Sequence, residues 1–239
     1  MKNSKKISSQ LPKIYKDTIS SYIKEVQQTL GEKIKLILLI GSSSSGKVIS
    51  DWSDIDIIIV LEQYKMEYIE KIKNIVKNYD IKIGNTIYSK IEFENKKIDP
   101  KTFYYLLLVQ KEIIPIQYCS SDLNIPKISE LECKNAYHSW LMEHFHSYKR
   151  IWLYTEIPNE KIREIFKNTY LIMKSILIIN GYYPQNYEQV FYMYSNEFKI
   201  EKFEFKKFIK SYQNKTYDKE KLINFAQKFS EDLSNNLKV

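Results

Sequence analysis

Residues 36–60, LILLIGSSSSGKVISDWSDIDIIIV, hold two apolar runs separated by a Gly/Ser turn, and the second run is led by two alternating acids. Residues 36–40 have the length and branching of a buried strand. Gly41 and Ser42 then break it with small residues that let backbone N–H groups approach an anion closely. Asp54-Ile55-Asp56 opens a second strand over residues 56–61. Alternate residues of a strand share a face, so the two carboxylates are expected side by side, with Ile55 and Ile57 turned toward the core.

A carboxylate doublet beside a glycine turn suits Mg²⁺, a hard ion that commonly takes one or two carboxylates together with substrate phosphates. Two metals so held can activate an attacking oxygen and stabilise the leaving one. A Gly/Ser turn at a helix start would grip a triphosphate through its N–H donors. These parts together describe nucleotidyl transfer. The plainer alternative is a core strand led by two solvated aspartates.

Gly41-Ser42, then Gly46, then Ser53-Asp54-Ile55-Asp56 ahead of an apolar strand resembles the signature of the DNA polymerase β-like nucleotidyltransferase superfamily, in particular its minimal and antibiotic-modifying members. The resemblance implies an α/β (α+β) fold with a small mixed sheet, followed by an all-α helical bundle. It implies nucleotide binding at Gly41, Ser42 and Ser53, with Asp54 and Asp56 as the catalytic acids and ligands of Mg²⁺. The substrate would be ATP or another NTP. Active members commonly add a third carboxylate on the next strand; here the matching positions carry Lys82 or Gly84. Asp80 shares their strand parity and is the remaining candidate. Without a third acid, catalysis would be weak, or the base would come from the second domain, or the module would be degenerate.

The same stretch imitates a P-loop, because GSSSSGK at residues 41–47 fits the first seven positions of G-x-x-x-x-G-K. The eighth residue is Val48, which has no hydroxyl for Mg²⁺. Ser50, Asp51 and Ser53 are turn or cap formers, and the next strand follows too soon for a helix. The P-loop reading ranks below the transferase one, and Lys47 reads as a solvated loop lysine.

At 239 residues, with 44% apolar and 14% aromatic residues, the chain can fold as one large or two small domains with real cores. No run reaches the length of a membrane span, and MKNSKKISSQ has no apolar signal region behind its lysines, so a cytoplasmic protein is expected. Cys119 and Cys133 have no C-x-x-C spacing and read as reduced thiols. The formal charge of +8 is almost all lysine, Arg150 and Arg163 being the only arginines. A basic surface attracts polyanions. Yet the richness in Ile, Asn, Lys and Tyr also looks like the bias of an AT-rich genome.

The chain order fits two domains. Residues 12–31 and 63–79 have helical periodicity, residues 80–89 read as a third strand, Glu92 and Glu94 as the solvated face of a helix start, and Pro100 opens another helix. A short strand follows whose Pro115 suggests an edge. Residues 1–119 form the expected nucleotidyltransferase domain, 120–129 a polar linker and 130–239 a helical bundle for substrate or partner. Its helices are expected over 130–154, 159–180, 184–198, 201–212 and 218–237, with Asp218 as a cap. Residues 170–198 resemble the helical domain called HEPN, but no Arg-x₄₋₆-His motif supports a ribonuclease. Most aromatics from Trp152 to Tyr194 should be bundle core, a minority being free to line an acceptor pocket between the domains. His138, His144 and His146 lack the spacing of a zinc pair, and Glu143 reads as part of a charged face that could contact substrate. The partners expected are an NTP and a hydroxyl acceptor, the latter a small antibiotic-like molecule, a protein or an RNA end. A protein partner, as in a toxin–antitoxin pair, and a homodimer are open; no membrane partner is expected.

Overall fold

Branched aliphatic residues build the centre of the amino-terminal half. Strand β1 (Ile34–Ile40) is buried along its whole length, and β2 (Ile55–Leu61) everywhere except at Asp56. The computed structural model describes residues 8–153, 156–198 and 204–236. The expected helix ends at Tyr154, Glu201 and Leu237, and the residues before Ser8, lie outside the described residues. The chain divides into two compact units, Met1–Cys133 and Lys134–Val239.

In the first unit β1 pairs antiparallel with β2, and β2 pairs parallel with β3 (Ile83–Ser89). Strand β4 (Tyr118–Cys119) closes the other side of β1, giving a mixed sheet of order β3-β2-β1-β4. A parallel pair needs a long crossover, and α3 (Met66–Val76) supplies it. Tyr15, Ile19, Tyr22 and Val26 of α1 (Lys13–Leu30) share a core cluster with Ile55, Ile57, Ile59 and Leu61 of β2. Strand alternation therefore sends Asp56 to the opposite face.

Strand β3 starts later than the sequence suggested. Its ladder with β2 begins at the pair Ile55↔Ile83, Lys82 O accepting from the Ile55 N–H at its start, and Asp80 lies exposed in a bend ahead of it. The segment after β1 also settles the shape of the P-loop look-alike. The short helix α2 (Gly41–Ser44) runs into a turn at Ser45 and Gly46, where the Gly46 N–H donates to Ser43 O and the Lys47 N–H to Ser42 O. Residues 47–54 contain no helix.

Helix α4 (Lys90–Glu94) begins with a capping box, in which the Ser89 hydroxyl accepts from the Glu92 N–H and the Glu92 carboxylate accepts from the Ser89 N–H. Glu92 is thus a cap, and Glu94 accepts from the Asn124 N–H, where a merely solvated face was expected for both. Helix α5 (Pro100–Gln110) is capped by Asp99, whose carboxylate accepts from the Thr102 N–H. Beside the two-residue β4, the Gln117 side chain accepts from the Leu39 N–H and prolongs the edge pairing.

The second unit is helical: most of α6 (Glu130–Ile151), then α7 (Asn159–Ile179), α8 (Tyr187–Phe198), α9 (Phe205–Gln213) and α10 (Lys219–Asn236). Tyr148 of α6 donates to Ala226 O of α10 and meets the Thr169 hydroxyl of α7 at 2.8 Å. Phe166 stacks on Phe208, and Phe191 on Phe205, so much of the aromatic density is packed inside the bundle. Three helix ends use an uncommon residue. Lys96, Glu112 and Lys215 hold left-handed backbones at φ 57°, just past α4, α5 and α9. In each case the next residue's N–H reaches back to the helix, as Lys97 to Glu92 O, Ile113 to Leu108 O and Thr216 to Ser211 O.

Candidate active site

Asp56 stands at the second position of β2, directly opposite Ile40, the last residue of β1. That register sets it beside the turn. A Cβ added to Gly41, at φ +71°, would lie 3.0 Å from Asp56 Oδ2. On the other flank the parallel register pairs Asp56 with Gly84, and a Cβ there would lie 3.1 Å from Oδ1. Two glycines therefore clear the space around one carboxylate. Asp54 just precedes the strand and is half-buried.

Both acids have a cationic neighbour. Lys82 Nζ lies 3.4 Å from Asp54 Oδ2, on a side chain that is 73% exposed. Lys101 Nζ, from the first turn of α5, lies 3.3 Å from Asp56 Oδ2 and is only 29% exposed. Tyr15 registers the negative charge nearby: burial first, then Asp51 and Asp54, raise its phenol above the usual range.

Of the remaining residues read from the sequence, Ser42 is half-buried and its carbonyl closes the α2 turn. Ser53 is buried and committed to the loop: its hydroxyl accepts from the Ile49 N–H at 2.9 Å, and its carbonyl accepts from the Tyr15 hydroxyl at 3.0 Å. It orients the Asp54 segment. Asp80 is not gathered to the doublet, since among the described residues no group of three or more His, Cys, Asp or Glu side chains is placed to share a metal. Lys47 is exposed. In the helical unit, His138, His146 and Glu143 are exposed, and His144 rests against Trp140 with burial pulling its imidazole below the ordinary range.

The donor set is two hard carboxylates next to an open glycine turn. It fits one Mg²⁺ completed by substrate phosphates, the coordination that ion favours. The residue paired with Asp56 on β3 is Gly84, which offers no carboxylate. The sequence reading missed Lys101. It comes from a helix far along the chain, and no local pattern ties it to Asp56. Lys82 was visible, but only as the occupant of another residue's place.

The mixed sheet thus places a glycine turn at the end of β1 and a D-x-D pair at the head of its neighbour β2. Residues 19–117 match the family model described as Nucleotidyltransferase domain. Among solved structures, the chain is similar to a spectinomycin adenyltransferase, AAD(9), from Enterococcus faecialis, solved with ATP and spectinomycin. That similarity has a TM-score of 0.46 and 13% identity, and covers 77% of this chain and 99% of the other. No curated protein matches the sequence.

Proposed function

We propose that the protein transfers an NMP, with AMP the first candidate, from a Mg²⁺-bound NTP to a hydroxyl acceptor. The observation that carries this reading is the convergence of Gly41, Asp54 and Asp56 at one end of the β1–β2 pair. The acceptor oxygen bonds to the α-phosphorus as the bond to pyrophosphate breaks, and the hydroxyl proton passes to solvent. Asp54 and Asp56 would hold Mg²⁺, which when bound supplies charge neutralisation at the phosphates. Gly41, lacking a side chain, would leave room for the triphosphate beside Asp56, with Ser42 next to it. Ser53 acts by fixing the loop that carries Asp54. Positioning and electrostatics provide most of the rate in such transfers.

In this reading residues 1–119 carry the chemistry, 120–129 link, and 130–239 bind the acceptor or a partner. The acceptor is a small antibiotic-like molecule, a protein or an RNA end, and the setting is the cytoplasm. No described helix is long and apolar enough to cross a membrane. The test is incubation of the purified chain with Mg²⁺ and each α-labelled NTP, with and without pooled tRNA, cell lysate and an aminoglycoside panel. Label on one acceptor, lost in Asp54→Asn, is the expected result.

A second reading has its own support. Gly84 where β3 faces Asp56, together with a lysine on each aspartate, favours a degenerate or antitoxin-like module that binds nucleotide and acts through a protein partner. Nucleotide binding without label on any acceptor, and co-purification with a partner, would decide for it.

A further inference from the structure

We propose that Lys101 is an exchangeable counter-ion of Asp56, neutralising the carboxylate before ligands bind and moving to a phosphate oxygen when a divalent cation and nucleotide arrive. The inference rests on the nucleotide-binding reading of the site and extends it to a residue outside the family signature.

The base of the Lys101 side chain is fixed. Asp99 caps α5 by accepting from the Thr102 N–H at 2.6 Å. The Tyr88 hydroxyl meets the Thr102 hydroxyl at 3.0 Å and accepts from the Asp99 N–H at 3.1 Å. Tyr88 and Thr102 are both buried, so the start of α5 is tied to β3 from beneath. Only the four-carbon stem of Lys101 is free to turn.

The choice of carboxylate oxygen gives the direction. Lys101 Nζ pairs with Oδ2, the same oxygen that faces Gly41, whereas Oδ1 faces Gly84. The ammonium therefore sits on the side of the phosphate turn. A divalent ion taking Oδ2 meets a like charge held at 3.3 Å from that atom, and the repulsion drives the lysine off. The nearest new anion is the phosphate that arrives with the metal. Lys82 makes a similar pair with Asp54, but its side chain is largely in water, where such a pair is screened.

Two ligands should then respond with opposite sign. In the full chain Lys101→Gln, Mn²⁺ binding without nucleotide, read by electron paramagnetic resonance, is expected to tighten about fivefold because the competing cation is gone. ATP binding in Mg²⁺, read by calorimetry, is expected to weaken by a similar factor. Lys101→Arg should keep the wild-type pattern, and Lys82→Gln should move both readings less. A damaged fold would weaken both ligands together, which Lys101→Gln must not do. Unchanged or weaker Mn²⁺ binding by Lys101→Gln, with Asp54→Asn still abolishing it, overturns the counter-ion role while leaving the metal site standing. If wild type, Lys101→Gln and Asp54→Asn all fail to bind Mn²⁺, the metal reading falls and the counter-ion role with it.

Discussion

Asp56 is bounded by absent side chains as much as by present ones. Gly41 combines a left-handed φ of +71° with a missing Cβ 3.0 Å from Oδ2, so Gly41→Ala incurs two separate losses. The backbone strain should remove about 1–2 kcal/mol of stability, visible in a denaturant melt. The displaced carboxylate should weaken Mg²⁺-dependent ATP binding beyond what that stability loss explains. Gly84 carries no left-handed φ, so Gly84→Ala isolates the second effect. Its Tm should stay close to wild type, while the crowding of Oδ1 at 3.1 Å lowers Mn²⁺ affinity. At this scale the sequence was informative wherever the pattern was local. Gly41, Ser42, Asp54 and Asp56 stand within one turn and one strand start. Gly84 and Lys101 matter through register and helix docking, which short-range periodicity does not encode.

Elements were legible by type and less so at their ends. The interior of β2 is a run of Ile and Val, branched residues that suit a strand buried on both faces. The start of β3 depends on where β2 begins to offer partners, a property of the pair, and this is why the parity argument for Asp80 did not survive. Caps carry more than their own helix. Asp99→Ala should cost about 1 kcal/mol in a thermal melt through loss of the bond to Thr102. It should also loosen Lys101, so its Mn²⁺ affinity should shift in the same sense as that of Lys101→Gln. At the sheet edge, Gln117→Leu leaves the Leu39 N–H without its acceptor in a buried setting, an expected loss of about 1–3 kcal/mol.

Across the whole molecule, acid stability should reside in ion pairs outside the site. Glu132 is drawn down to about 2, first by Lys96 and then by the Ser129 N–H and hydroxyl. Asp122 lies lower still than ordinary carboxylates, held by the Ser120 hydroxyl, Lys35 and Lys90. Because these folded values lie below the unfolded ones, the stabilisation is present at neutral pH and is lost as pH falls below about 4.5 toward 2. Glu132→Gln should flatten that limb in denaturation curves taken at stepwise pH, with little change in slope above it. The helical unit has a different lock, where Tyr148→Phe should lose about 1 kcal/mol by removing the hydroxyl shared among α6, α7 and α10. The left-handed residues past α4, α5 and α9 point the opposite way. A chain with only 5 glycines in 239 residues has put Lys96, Glu112 and Lys215 where glycine rests without strain. Glu112→Gly and Lys215→Gly would relieve that strain without altering the turn or the strands that carry the carboxylate pair. The protein thus holds thermostabilising substitutions in reserve, available to an engineer before any catalytic residue is touched.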